Sequence, residues 1–144
     1  MPVYVDTSAL VKRYVHEQQS LAFDAFLEAS DDSFVLSPLT LTELESVLQQ
    51  RLRQGDFDKR YWQRTRTLIA DDLMAALWQV QPFDPSAFEA ASRLIRELGL
   101  PLATLDALHL ASAHAFGCDQ LVTSDRQLAR AAERSGLAVH DFST

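Results

Sequence analysis

A chain of 144 residues, 47% apolar and with only four glycines and five prolines, has the material for one core and is expected to form a single domain over residues 1–144. Its one cysteine, Cys118, excludes an internal disulfide and a cysteine-rich metal site; beside Gly117 at an expected helix end, it reads as a small, partly buried filler and not as a nucleophile. A formal charge of −7, from 20 acidic against 13 basic residues, argues against holding nucleic acid by overall attraction.

In chain order, "VYV" at the start reads as a strand, and "SALVKRYV" and "SLAFDAFLEA" carry apolar residues at helical spacing, Phe23, Phe26 and Leu27 among them. "SFVLS" is a second apolar run ending at Pro38. After it, "TLTELESVLQQRLRQ" repeats Leu41, Leu44, Val47, Leu48 and Leu52 on one helical face until Gly55 stops it. Asp56 to about Trp78 is long and amphipathic, "WQVQPF" supplies a short strand, and "DPSAFEAASRLIRELG" opens on an Asp-Pro start signal and closes on Gly99. "LDALHLASAHAFG" is a helix ending at Gly117, "QLVTS" a strand, "DRQLARAAERSG" a helix closed by Gly136, and "LAVHDF" a last short strand. Strands separated by helices need crossover connections. The expected architecture is therefore α/β, a three-layer α/β/α sandwich around a short parallel sheet. No apolar run approaches the roughly 20 residues that cross a bilayer and no charged-then-apolar leader opens the chain, so a soluble, cytoplasmic protein without membrane contact is expected.

Ligands of open parallel sheets bind outside the carboxyl ends of the strands, where loops and helix N-termini converge. Four acids are expected there: Asp6 after "VYV", Glu43 in the first turn of the helix after "SFVLS", Asp106 in the first turn of "LDALHLASA", and Asp125 after "LVTS". Each has a plain structural use. Thr40 with Glu43 and Ser124 with Gln127 fit capping boxes, and Asp106 and Asp125 are favourable first-turn acids. Gathered at one edge, however, four like charges repel one another unless a multivalent cation sits among them, and an all-oxygen donor set suits Mg²⁺ or Mn²⁺.

The histidines do not make a zinc site, since His16, His114 and His140 have no partner at ligand spacing. His109, three residues after Asp106 on the same helix, reads as a packed or supporting residue. There is no nucleophile elbow and no glycine-rich phosphate loop. An aspartate-based phosphotransfer hydrolase would want a second acid where Ser8 stands and a lysine at a later strand end. The chain's lysines, Lys12 and Lys59, are not at such positions.

The segments that bear the acids resemble those of the PIN-domain ribonucleases, most closely the VapC-like toxins. "VYVDTSALVKRY" is similar to the family's opening strand with its aspartate and serine, "LTLTELESVL" to its central glutamate, "TLDALHLASA" to its third acid and "LVTSDRQL" to its fourth. The resemblance spans nearly the whole chain, in order. It implies an endoribonuclease that uses Mg²⁺ or Mn²⁺ to hydrolyse RNA phosphodiester bonds, with Asp6, Glu43, Asp106 and Asp125 as catalytic and metal-binding acids and Ser8 and Thr123 as hydroxyls that orient them. It also implies a homodimer and a small antitoxin partner; a PIN-like scaffold that binds RNA or protein without cutting is the alternative. Ser124 departs from those members that carry an acid or asparagine before the last acid. Six basic residues, Arg51, Arg53, Lys59, Arg60, Arg64 and Arg66, are interleaved with Tyr61 and Trp62 and offer either phosphate contacts or a solvated helix face.

Overall fold

The computed structural model describes residues Met1–Thr144. Five short strands, β1 (Pro2–Val5), β2 (Ser33–Leu36), β3 (Trp78–Val80), β4 (Gln120–Thr123) and β5 (Ala138–Asp141), alternate with seven helices: α1 (Thr7–Tyr14), α2 (Ser20–Ala29), α3 (Pro38–Gln54), α4 (Lys59–Met74), α5 (Ser86–Glu97), α6 (Thr104–Ala115) and α7 (Arg126–Arg134). All strands are parallel, in the order β3-β2-β1-β4-β5.

Alternation along the strands builds two cores, one on each face of the sheet. Val3 and Val5 of β1, with Phe34, Leu36 and Val122, pack against Leu10, Phe23, Leu44 and Leu48 of α1, α2 and α3. Tyr4, Val35 and Leu121 point the other way, toward Leu110, Ala113, Leu128 and Ala132 of α6 and α7. The expected three-layer sandwich is the observed one. Small side chains, Ala87, Ala91, Ala107 and Ala111, form much of the seam where α5 lies on α6. Cys118 is buried in the second core, and burial followed by the charge of Asp119 pushes its thiol up to about 11, which leaves it an inert filler.

Two boundaries differ from expectation. α3 begins at Pro38, not near Thr40, because proline is suited to a first helical position, where its missing N–H leaves no bond unmade. α4 is capped by Asp58, whose Oδ1 accepts from Tyr61 N at 2.8 Å, and ends at Met74, short of Trp78. The stop is a turn with Ala76 at φ 58°, closed by Leu77 N donating to Asp72 O at 3.0 Å. No helix is long and apolar enough to cross a membrane.

Candidate active site

From β1 the chain runs outward through β2 to β3, then returns to lay β4 on the other side of β1 and continues to β5. The connections thus diverge at the carboxyl ends of β1 and β4, the place where an α/β sheet opens a crevice. Asp6 lies at that point. Its backbone N–H extends the ladder by donating to Val122 O at 3.1 Å, and its side chain caps α1, Oδ1 accepting from Ala9 N at 3.2 Å. Ser8 Oγ also donates to Oδ1 at 2.8 Å, and Thr123 Oγ1 to Oδ2 at 3.1 Å. Ser8 in turn accepts from Ser124 N at 2.9 Å, and Thr123 Oγ1 from Asp125 N at 3.0 Å. The two hydroxyls therefore latch the β1–α1 loop to the β4–α7 loop and fix how Asp6 faces the crevice. Ser124 joins the latch through its own hydroxyl, which donates to Ser8 O at 3.0 Å.

Asp125 is the N-cap of α7; its Oδ1 accepts from Gln127 N at 2.8 Å and Leu128 N at 3.3 Å. It is thus the cap itself, and no Ser124–Gln127 box forms. Glu43 is likewise not part of a box with Thr40: α3 is entered from Ser37, whose N–H donates to Thr40 Oγ1 at 3.3 Å, which leaves Glu43 in the second turn. Its Oε1 accepts from Thr7 Oγ1 at 2.8 Å and from His109 Nε2. Asp106 sits in the first turn of α6, as expected, and makes no side-chain hydrogen bond.

Asp106 is the acid whose electrostatics involve the other three. Burial, then the negative charges of Asp125 and Asp6, push the Asp106 carboxyl up to about 6; Glu43 adds to this and His109 opposes it. Burial also raises Asp6, against the pull of His109 and its hydrogen bonds from Ser8, Ala9 and Thr123. For Glu43, burial is outweighed by the hydrogen bond and charge of His109 and by Thr7, so its carboxyl is held below the usual range. No three His, Cys, Asp or Glu side chains stand close enough together to form a ready metal cage. The donor chemistry nevertheless fits a hydrated Mg²⁺ or Mn²⁺, which is held through one or two carboxylates with water completing the shell. Beside the acids lies a groove of about 320 Å³ whose walls include Thr7, Ser8, Glu43, Ser46 and Leu105.

Asp6, Glu43, Asp106, Asp125, Ser8 and Thr123, the six residues expected from the sequence, all lie at this edge. The sequence does not single out Thr7 or Tyr4. It leaves His109 undecided between packing and support, and the histidine does both: it is 1% exposed and bonded to Glu43. Its spacing of three from Asp106 was the one available signal. The lysines are elsewhere. Lys12 is buried, donating to Gln18 O at 2.6 Å and pairing with Glu17, and Lys59 opens α4, so the phosphotransfer alternative has no support. In the basic segment, Arg51 pairs with Glu17 and Asp56, and Arg66 pairs with Glu45 while lying over the Trp62 ring. Arg53, Lys59, Arg60 and Arg64 are exposed and unpaired.

Comparison with known proteins agrees with this fold. The family model described as PIN domain matches residues 3–134. Ribonuclease VapC46 of Mycobacterium tuberculosis is 32% identical over 139 residues, 95% of each chain. Among solved structures, the sarcin-ricin loop cleaving toxin VapC20 of Mycobacterium tuberculosis superposes with a TM-score of 0.68 at 16% identity, over 90% of this chain and 94% of that one. VapBC2 of Rickettsia felis, bound to a DNA fragment from its promoter, gives 0.67 at 16% identity over 98% of both chains. The chain belongs to the PIN domain family.

Proposed function

We propose that this PIN domain is a Mg²⁺- or Mn²⁺-dependent endoribonuclease of the cytoplasm, the toxin of a toxin–antitoxin pair, with Asp6, Glu43, Asp106 and Asp125 as its catalytic and metal-holding acids. The observation that carries the reading is the convergence of the four acids at the carboxyl ends of β1 and β4, where Asp106, without a hydrogen bond of its own, meets the charges of Asp125, Asp6 and Glu43. A protein that used them only as caps would have no reason to bring them within reach of one another. The similarity to a VapC ribonuclease and the fold shared with toxin structures point the same way.

Asp106, with both oxygens free of hydrogen bonds, and Asp125, with Oδ2 free, are the residues we assign to hold the cation, together with Asp6. When bound, such a cation supplies charge stabilisation at the phosphate and makes water a better nucleophile at neutral pH. Glu43, kept ionised by His109 and Thr7, would meet the cation through a water and orient that water. Ser8 and Thr123 hold Asp6 in place. Arg126, exposed at the start of α7 next to Asp125, is the cation best sited to meet a phosphate of the RNA. A homodimer and a small antitoxin complete the reading; an Arg or Lys of the antitoxin would enter the acidic crevice and pair with its carboxylates.

The test is cleavage of RNA by the purified protein with Mg²⁺ or Mn²⁺ and again in excess chelator. Chelation is expected to abolish cleavage and added Mn²⁺ to restore it. Undiminished cleavage in excess chelator would overturn the metal-dependent mechanism.

A further inference from the structure

We propose that His109, anchored by Tyr4, is a positioning residue that presents Glu43 to the reaction through a single carboxylate oxygen, Oε2. The inference rests on the reading of Glu43 as part of the nuclease centre.

Oε1 of Glu43 is engaged twice, by Thr7 Oγ1 at 2.8 Å and by His109 Nε2, while Oε2 has no partner. A carboxylate only accepts, so His109 Nε2 carries the proton of that bond. The other ring nitrogen, Nδ1, lies 2.6 Å from the Tyr4 hydroxyl, which donates to Ser37 Oγ at 3.1 Å and lies 3.4 Å from Thr40 Oγ1. The chain of contacts thus leaves α3 at its first residues, crosses β1 through Tyr4 and α6 through His109, and returns to α3 at Glu43. Three elements must keep their relative places for Glu43 to keep its rotamer.

Tyr4 and His109 are 0% and 1% exposed, within a core that elsewhere on these elements uses Val3, Val5, Leu108 and Leu110. Burying a phenol and an imidazole is unfavourable unless every polar atom is matched, and an apolar pair would fill the space without that demand. The polar pair is oriented toward the one site acid that is not a helix cap or a first-turn residue. Asp6 and Asp125 are held by backbone N–H groups at helix starts, but Glu43, in the second turn of α3, has no such donors and needs side chains to hold it.

Three variants of the full chain test this: His109→Leu, which fills the space without a donor; His109→Gln, whose amide N–H can still reach Glu43; and Tyr4→Phe, which removes the anchor alone. Melting temperature, Mn²⁺ affinity by electron paramagnetic resonance, and kcat and KM for RNA are measured on each. His109→Leu is expected to lower kcat by about 10–100-fold and to weaken Mn²⁺ binding, with KM for RNA within about 2-fold of the parent. His109→Gln should recover most of the loss, and Tyr4→Phe should fall between. Parental kcat and Mn²⁺ affinity in His109→Leu, or a Gln variant no better than the Leu variant, would overturn the proposal. If His109→Leu does not fold, Tyr4→Phe decides: a lowered kcat supports the anchor and an unchanged one overturns it. Absence of Mn²⁺-dependent cleavage in the parent protein would overturn both this inference and the reading beneath it, whereas active parent protein with indifferent variants overturns this inference alone.

Discussion

Asp106 differs from its neighbours in the crevice because its carboxylate accepts no hydrogen bond. Asp6 and Asp125 cap helices and Glu43 has His109 and Thr7, but Asp106 faces three acids with no hydrogen bond of its own, and its carboxyl rises from 3.8 to about 6. A carboxyl whose folded value is raised keeps its proton longer in the native state, so native stability falls as pH rises from about 4 to about 6 and stays reduced above that. Asp106→Asn should therefore be more stable than the parent in metal-free buffer at pH 7. A two-unit shift corresponds to roughly 2.7 kcal/mol. Solvent screening of this partly exposed group reduces the expected gain to about 1 kcal/mol. The gain should vanish as the pH is lowered from 6 towards 4 in a series of thermal melts, and Mg²⁺ or Mn²⁺ should stabilise the parent more than the variant at pH 7. A gain independent of pH would mean that charge is not its cause. At this scale Asp6 and Asp125 were legible because each follows an apolar run, and Asp106 because it lies in the first turn of a helix. The bond of His109 to Glu43 was not, since it joins residues 66 positions apart and no local spacing encodes it.

The elements that support the crevice are tied together at α1. Asp72, buried on α4, accepts from Arg13 Nε and Nη2 at 2.7 and 2.9 Å and from the Tyr14 hydroxyl at 2.5 Å, and Trp78 Nε1 of β3 donates to that same hydroxyl at 2.7 Å. One carboxylate thus locks α4 and β3 to the end of the helix whose start bears Asp6. Asp72→Ala leaves Arg13 and Tyr14 without their acceptor and should cost about 3 kcal/mol in urea unfolding, with the activity of the folded protein unchanged. A cost below about 1 kcal/mol would mark the pair as solvated and unimportant. Strands were legible as short apolar runs between turn residues, and Gly55, at φ 77°, closed α3 where expected. The end of α4 was hidden because Ala76, with no glycine or proline signal, takes the left-handed turn. The Asp72 network was equally hidden: its members come from three elements, α1, α4 and β3, and no local spacing joins them.

For the whole molecule, a charge of −7 stands against a polyanionic substrate. On the proposed reading, RNA would be held through few phosphate contacts, so its affinity should be modest and its salt slope shallow, set by the few cations that reach phosphate. Of the basic segment, Arg51 and Arg66 are committed to acids, which leaves Arg53, Lys59, Arg60 and Arg64. Replacing Arg53, Arg60 and Arg64 by Ala should weaken RNA binding and flatten the slope of log affinity against log salt by roughly 2. An unchanged slope would assign that face to solvent or to a partner. The fold class was legible from the alternation of strand and helix and from the glycine stops. The direction in which the arginines point was not, because composition records charge and not its placement. The central claim, that four carboxylates from four segments act as one nuclease centre, is tested most directly by measuring RNA cleavage and melting temperature together for Asp6→Asn, Glu43→Gln, Asp106→Asn and Asp125→Asn. The expected result is loss of cleavage in all four, with Asp106→Asn at least as stable as the parent in metal-free buffer. Variants that melt early yet cleave RNA at the parental rate would contradict it, and would return these residues to the role of helix caps and strand ends.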